Sequence, residues 1–192
     1  DAHTEGRERG RSINKIQFTD EKHGYALDPS GRIYASLDER KTWEPFRIGS
    51  SEQLNDMFFL DSSTGWIVGD NGIIIHTTDG GKSWQYQDNG IKYRLNSTHF
   101  VNQNKGWICG EMGTILYTND GGKTWDLQLQ GEAYSLRKGY FVSKSEGWAV
   151  GDKGLILYTR SGGQAWSIQN SSVKDNIIGI ELVEGSLGWD GS

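Results

Sequence analysis

The sequence predicts an all-β propeller, and three observations support this fold class. The first is that the eight tryptophans form two series with a constant step of 41 residues, namely Trp43, Trp84, Trp125 and Trp166, and Trp66, Trp107, Trp148 and Trp189. The second is that glycines recur at the same step, at Gly24, Gly65, Gly106, Gly147 and Gly188. The third is that each unit contains short strand-like segments and no stretch with helical periodicity. Four-stranded repeats of about 40 to 45 residues are the signature of propeller blades.

The period divides the chain into blades. The predicted units are 13–53, 54–94, 95–135 and 136–176, followed by a partial unit over 177–192. Residues 1–12 are polar and are expected to form either a tail or the outer strand of a preceding blade. Because the last unit stops early, we expect a piece of a larger propeller, or a chain that closes its ring by association with another chain, rather than an isolated four-bladed ring.

Each unit reads as an antiparallel meander. In the second unit the predicted strands cover 54–60, 65–69, 72–77 and a short segment from Trp84 through Tyr86. The connection at Asp70 and Asn71 has the residue types that a two-residue hairpin favours. Such short connections exclude parallel crossovers. The run Ile73, Ile74 and Ile75 is apolar on both faces, which favours blades covered by neighbours on both sides; a β-solenoid is the main structural alternative.

A turn motif between the third and fourth strands is the most specific pattern in the chain. It reads Thr-Asp-Gly-Gly-Lys-Ser-Trp over 78–84 and Asn-Asp-Gly-Gly-Lys-Thr-Trp over 119–125. The carboxylate can accept backbone hydrogen bonds within the turn, glycine permits positive φ, and tryptophan buries a large apolar surface. A structural role is therefore assigned to Asp38, Trp43, Asp79, Gly81, Trp84, Asp120, Gly122, Trp125 and Trp166. The first copy has Arg40 in place of glycine and the fourth has Ser161 in place of aspartate, so both turns are expected to be looser or differently bonded.

These turns match the Asp box, also called the bacterial neuraminidase repeat. The wider unit, Gly-Trp-Ile-Cys-Gly-Glu-Met-Gly-Thr-Ile-Leu-Tyr-Thr over 106–118, and its counterpart over 147–159 resemble the propellers of the photosystem II stability and assembly factor family. The resemblance covers 13–189. It implies a non-enzymatic assembly scaffold that engages a protein or peptide partner in an extracytoplasmic compartment (periplasmic, secreted or thylakoid lumen), without a cofactor.

A glycoside hydrolase or carbohydrate-binding propeller is the alternative, because Asp boxes also occur in sialidases and glucan-cleaving enzymes. The segment Phe46-Arg47-Ile48 is similar to a sialidase arginine motif, but the proline that follows in that motif is absent. Glycoside hydrolysis needs two carboxyl groups about 5 to 10 Å apart. The candidates outside the turns are Asp56, Glu132 and Glu181; Asp56 and Glu181 belong to first strands and are expected to be solvated residues of the central channel.

Composition narrows the remaining classes of function. The net charge of −5 argues against general nucleic-acid binding, and no apolar run is long enough to span a membrane. Cys109 is the single cysteine, so no disulfide forms within the chain. The four histidines lack the spacing of a zinc site, and no metal or cofactor is predicted.

What remains is a surface for a partner. The segments that connect one blade to the next diverge between units, and in propellers such loops commonly bind ligands. The predicted partner-binding residues are Arg47, Lys92, Tyr93, Arg94 and Tyr134, since tyrosine and arginine are enriched at binding hot spots.

Overall fold

The computed structural model describes residues 12–39, 41–46, 48–49 and 51–181 of the chain, and for Phe46 the backbone alone. These residues form four antiparallel four-stranded sheets, each with its strands in sequence order. Blade 1 contains β1 (Lys15–Phe18), β2 (Gly24–Leu27), β3 (Ile33–Ser36) and β4 (Glu44–Phe46); blade 2 contains β5 (Leu54–Phe59), β6 (Gly65–Gly69), β7 (Ile74–Thr77) and β8 (Gln85–Tyr86); blade 3 contains β9 (Leu95–Phe100), β10 (Gly106–Gly110), β11 (Ile115–Thr118) and β12 (Asp126–Leu129); blade 4 contains β13 (Leu136–Phe141), β14 (Gly147–Gly151), β15 (Ile156–Thr159) and β16 (Ser167–Gln169). The predicted all-β architecture of four-stranded blades is confirmed.

The predictions for the two ends of the chain fall mostly on residues that the structure does not describe. Most of the N-terminal segment 1–12 and most of the partial fifth unit 177–192, including Trp189, lie outside the described residues. Residues 177–181 are described and contain no strand.

The turn between the second and third strands of blades 2, 3 and 4 is longer than the predicted two-residue hairpin. Each is a three-residue 3₁₀ turn, and the pair Gly69 N–H to Ile73 O closes the first of them at 3.1 Å. The middle residues, Asn71, Met112 and Lys153, have φ between 54° and 57°. The following glycine is required by close approach, because a Cβ on Gly72 would lie 2.0 Å from the carbonyl oxygen of Ile91.

The repeating glycines and tryptophans form one aromatic joint between successive blades. The ring of Phe100 lies over Gly106 of its own blade, where a Cβ would come within 2.4 Å of the ring. The ring also stacks on Trp66 of the preceding blade, with centroids 3.6 Å apart, and forms a T-shaped pair with Trp125 at 6.1 Å. Equivalent stacks join Tyr25 to Phe59 at 3.5 Å and Trp107 to Phe141 at 3.7 Å.

The Asp-box carboxylates are bonded within their own turns. Asp79 accepts hydrogen bonds from the backbone N–H of Ser83 at 2.9 Å and from its hydroxyl at 2.7 Å. Asp120 and Asp38 make the same pair of bonds to Thr124 and Thr42.

The two divergent turns differ from each other. The first turn keeps the Asp38 bonds to Thr42, while Arg40, on which the expectation of a looser or differently bonded turn rests, lies outside the described residues. Its Glu39, at φ 63°, stands where the other turns have glycine. In the fourth turn the hydroxyl of Ser161 accepts the N–H of Ala165 at 2.9 Å. That turn lacks the bond between a side-chain hydroxyl and a carboxylate, because Ala165 has no hydroxyl.

The Asp-box turn also receives donors from other blades. The carbonyl oxygen of Gly121 accepts the indole N–H of Trp66 at 3.2 Å and the amide of Gln87 at 2.9 Å. The carbonyl of Gly162 accepts the equivalent bonds from Trp107 and Gln128, at 3.1 Å and 2.9 Å. These bonds satisfy a backbone acceptor and link adjacent blades.

The first strands of the blades lie side by side around the axis, with β1 against β5, β5 against β9 and β9 against β13. Polar side chains connect them to the backbone of the next blade. Gln17 bonds both the N–H and the carbonyl of Phe59, and the imidazole of His99 lies 3.0 Å from the carbonyl of Phe141. The inner end of each blade is therefore hydrogen-bonded to its neighbour through side chains.

Candidate binding face

One face of the propeller is built from the loops between blades and the 3₁₀ turns. The N–H of Asp70 donates to the carbonyl of Gln53 at 2.9 Å, that of Glu111 to Arg94 at 2.9 Å, and that of Asp152 to Ser135 at 3.0 Å. Each loop is thus anchored on the turn that it crosses just before the next inner strand begins. We call the surface formed by residues 48–49 and 51–53, by loops 87–94, 130–135 and 170–176, and by the three 3₁₀ turns the loop face.

Three of the predicted partner-binding residues lie together on the second loop. Lys92 and Tyr93 are exposed. Arg94 is held in place, since its Nη2 donates to the Oδ1 of Asn55 at 2.8 Å and its Nε lies 3.3 Å from Asp70 Oδ1. The loop therefore presents one oriented guanidinium beside two exposed side chains.

Tyr134 comes from the third loop, and its backbone contacts the 3₁₀ turn at 111–113, which Arg94 also contacts. Its carbonyl accepts the N–H of Gly113 at 2.8 Å, while the carbonyl of Arg94 accepts the N–H of Glu111. Arg94 and Tyr134 thus flank the turn at 111–113. Burial, together with the nearby carboxylate of Glu132, raises the pKa of Tyr134. Arg47, the fifth predicted residue, lies outside the described residues.

Two equivalent clefts open on the loop face. The first, of about 590 Å³, lies in blade 2 and is lined by Glu52, Asn71, Tyr86, Asp88 and Lys92, among others. The second, of about 430 Å³, lies in blade 4 and is lined by Glu132, Tyr134, Lys153, Ile168 and Ser171, among others. In blade 3 the corresponding loop bonds over its turn, with the N–H groups of Gly131 and Glu132 both donating to the carbonyl of Met112.

A buried ion cluster lies on the axis, just below the loop face. Asp56 has a side chain that is 4% exposed and forms an ion pair with Lys15 of blade 1 and another, at 3.4 Å, with Lys138 of blade 4. Its second oxygen also accepts the N–H of Thr98 at 2.9 Å. The expectation that Asp56 is a solvated channel residue is therefore wrong; the inner strands cover it and two ammonium groups neutralise it. Glu181 is exposed.

The surroundings decide the charge states in this cluster. Burial opposes ionisation of Asp56, but the ammonium groups of Lys15 and Lys138 and the hydrogen bonds to its oxygens hold its pKa below the usual value. Burial lowers the pKa of Lys15, and the like charge of Lys138 adds to that effect. Burial lowers the pKa of nearby His99 to about 4, so this imidazole is neutral at pH 7.

The axial lysines were not among the residues predicted to be functional. A signal exists in the sequence, because the third position of successive units carries Lys15, Asp56, Ser97 and Lys138. Charged side chains on a strand that lines the axis are unusual unless they are paired or bind something.

The described part of the chain also bears on metal binding and on membrane insertion. No group of three or more His, Cys, Asp and Glu side chains there could hold a metal ion. No helix there is long and apolar enough to cross a membrane.

Comparison with known protein families gives one match. The family model for Photosynthesis system II assembly factor YCF48 matches residues 8–88 and 35–135, which together cover more than half of the chain. No curated protein matches the sequence.

Solved structures share the fold at low sequence identity. YCF48 bound to D1 peptide is 24% identical with a TM-score of 0.70, over 88% of this chain and 56% of that chain. YCF48 from Cyanidioschyzon merolae is 17% identical with a TM-score of 0.68, over 85% of this chain and 58% of that chain. A GH74 xyloglucanase from Xanthomonas campestris is 10% identical with a TM-score of 0.68, over 86% of this chain and 31% of that chain. The chain thus spans a little over half the length of the two YCF48 structures.

Proposed function

Since this chain belongs to the Photosynthesis system II assembly factor YCF48 family, we propose that it is a propeller scaffold that binds a peptide segment of a protein partner and catalyses no reaction. The similar fold of a YCF48 protein with a bound D1 peptide supports a peptide as the ligand. We further propose that the compartment is extracytoplasmic. Association with another chain to close the ring stays a prediction.

The loop face is the proposed binding surface, with Lys92, Tyr93, Arg94 and Tyr134 as contacts and Arg47 as a further predicted one. The observation that carries this assignment is the pairing of an oriented guanidinium with exposed tyrosine and lysine on one loop. Arginine held by two protein partners loses little further freedom when a ligand binds. Two clefts beside these residues offer room for side chains of an extended segment.

A carbohydrate-active propeller is the second candidate, because GH74 enzymes share the fold. Glycoside hydrolysis requires one carboxyl group that donates a proton and a second that faces it. Asp56 is neutralised by two lysines and its pKa is lowered, which is the opposite of what a general acid needs. This argues for binding rather than hydrolysis.

The proposal is tested by affinity capture with the whole chain. The double variant Lys92→Glu and Arg94→Glu should bind a partner peptide with a Kd at least tenfold higher than that of the original chain. The substitutions reverse two positive charges on the loop face and remove the guanidinium of Arg94. Lys123→Glu, which reverses an exposed lysine on an Asp-box turn, is the matched control and should bind normally. Equal loss in both variants, or turnover of a xyloglucan or sialoside by the purified chain, would contradict the proposal.

A further inference from the structure

The axial ion cluster is not balanced in charge. Two ammonium groups, those of Lys15 and Lys138, converge on the single carboxylate of Asp56, so among the described residues one positive charge of the cluster has no counter-charge. Within the part of the chain that the structure describes, each ammonium donates a side-chain hydrogen bond to Asp56 alone. An ammonium group has three donors, so further donors remain on both lysines.

The surplus charge is accessible from solvent. The side chains of Lys15 and Lys138 are 26% and 27% exposed, whereas Asp56 is covered. His99 and Cys109 are titratable groups beside the cluster. Burial lowers the pKa of His99 to about 4 and raises the pKa of Cys109 to about 12, so both are neutral at pH 7. A partly desolvated positive charge of this kind attracts an anion more strongly than a lysine on the open surface does.

The cluster lies directly beneath the loop face. Asn55, the neighbour of Asp56, donates to Asp70 in the first 3₁₀ turn at 2.8 Å and accepts from Arg94. Arg137, the neighbour of Lys138, donates to Asp152 in the third turn at 2.6 Å. A group that enters the axis from the loop face therefore passes two arginines held by acidic turns and then meets the two lysines.

We propose that the axial end of the loop face is a carboxylate-binding site in which Lys15 and Lys138 together hold one carboxylate of the partner peptide. The inference rests on the proposed peptide-binding function and adds the chemistry of its anchor. A free C-terminus and an Asp or Glu side chain both supply this group, and the experiment separates them.

The probes are three forms of an acetylated Gly-Ser-Ala-Gly-Ser-Ala peptide. One has a free C-terminal carboxylate, one is amidated, and one is amidated with Glu in place of the first Ala. Binding to the ¹⁵N-labelled chain is followed by NMR through the amides of Thr98 and Gly139, whose N–H groups donate to Asp56 and to Ser97 in the cluster. Shifts with the first probe identify a terminal carboxylate, shifts with the third identify a side chain, and the second should give none.

Single variants test the assignment without removing the carboxylate of Asp56. Lys138→Met and Lys15→Met each leave Asp56 with one lysine and a balanced charge, so each should weaken the probe by tenfold or more. Lys123→Met is the matched control, and a change within twofold is expected. Retention of the dispersed amide spectrum shows that each variant is folded, and if one variant unfolds the other decides.

The proposal is overturned if neither carboxylate probe shifts these amides, if the amidated neutral peptide shifts them equally, or if both lysine variants bind as tightly as the original chain. These outcomes are distinct from failure of the proposed function. Loss of partner binding on charge reversal of Lys92 and Arg94, with full binding retained in Lys138→Met, would refute the axial site alone. Binding of the carboxylate probes at the axis without capture of any partner peptide would refute the function and leave the site.

Discussion

Trp66 of blade 2 stacks in parallel on Phe100 of blade 3, with ring centroids 3.6 Å apart and an angle of 11° between the planes. Both side chains are buried. Gly106 also lies against the phenylalanine ring, where a Cβ would come within 2.4 Å of it. The contact thus connects two blades and fills the core at the same time.

Replacing Phe100 by alanine should destabilise the chain by about 3–5 kcal/mol, because the substitution leaves a cavity between two indoles and a glycine. The measurement is urea unfolding followed by tryptophan fluorescence. Phe18→Ala is the matched control, since Phe18 occupies the same position in blade 1 but is 44% exposed, and its loss should cost about 1 kcal/mol. If both variants lost the same unfolding free energy, the buried stack of Phe100 would add nothing to what a half-exposed phenylalanine contributes.

Replacing Asp56 by alanine should cost about 3–5 kcal/mol, because it leaves two partly buried ammonium groups without a counter-charge. Lys138→Met should cost less than about 1 kcal/mol, since the pair of Asp56 with Lys15 survives. Chemical denaturation of the two variants side by side checks this asymmetry. A larger loss in the lysine variant would contradict the described charge balance.

Acid should weaken the fold through the Asp-box turns. Hydrogen bonds from the turn lower the pKa of Asp38, Asp79 and Asp120 to about 2. The strongest of these bonds come from the Thr42 backbone N–H, the Ser83 hydroxyl and the Thr124 backbone N–H, respectively. The unfolded value is about 3.9, so the folded pKa is depressed. The stabilisation is therefore complete above about pH 4 and is lost as the pH falls towards 2.

Melting temperature measured between pH 6 and pH 2 tests this dependence. The double variant Asp79→Asn and Asp120→Asn should show a shallower fall than the original chain, because two of the depressed carboxyl groups are gone. The fourth turn, which has Ser161 in place of aspartate, supplies none of the effect. A slope that is unchanged in the double variant would assign the acid sensitivity to other groups, with Asp56 as the first to examine.

Restoring the motif in the fourth turn should stabilise the chain. The double variant Ser161→Asp and Ala165→Thr recreates the carboxylate and the hydroxyl that bond each other in blade 3 at 2.7 Å. One added hydrogen bond of ordinary strength is about 1 kcal/mol, which corresponds to a rise of about 2–4 °C in Tm. The reverse double variant, Asp120→Ser and Thr124→Ala, should lower Tm by a similar amount, and a shift of the same sign in both variants would refute the account.

The blades were predictable from the sequence because the contacts that define each blade join residues close together in the chain. The step of 41 residues, the Gly-Trp pairs and the Asp boxes all act within one unit or between adjacent units. The ion pair of Lys138 with Asp56 was not predictable in the same way, because it joins residues 82 positions apart and passes over the blade between them. The intervening unit carries the small, buried Ser97 at the corresponding position.

The 3₁₀ turns show the same limit at short range. The sequence places the two-residue hairpin at Asp70 and Asn71, whereas positive φ falls on Asn71 and Gly72. The turn is nevertheless extended by one residue, since the loop that ends at Arg94 occupies the space beside Gly72. Local propensity identifies such a turn, while the neighbouring loop decides its length.

The donors shared at Gly121 and Gly162 have a consequence for how such chains change length. Blades 2 and 3 present the same indole and amide groups to their acceptors, and blades 3 and 4 present the same carbonyl to receive them. A duplicated copy of one unit would arrive with matching surfaces on both sides. The number of blades in such a propeller can therefore change by whole units through tandem duplication or deletion within the gene. No new interface between blades has to evolve at the insertion point.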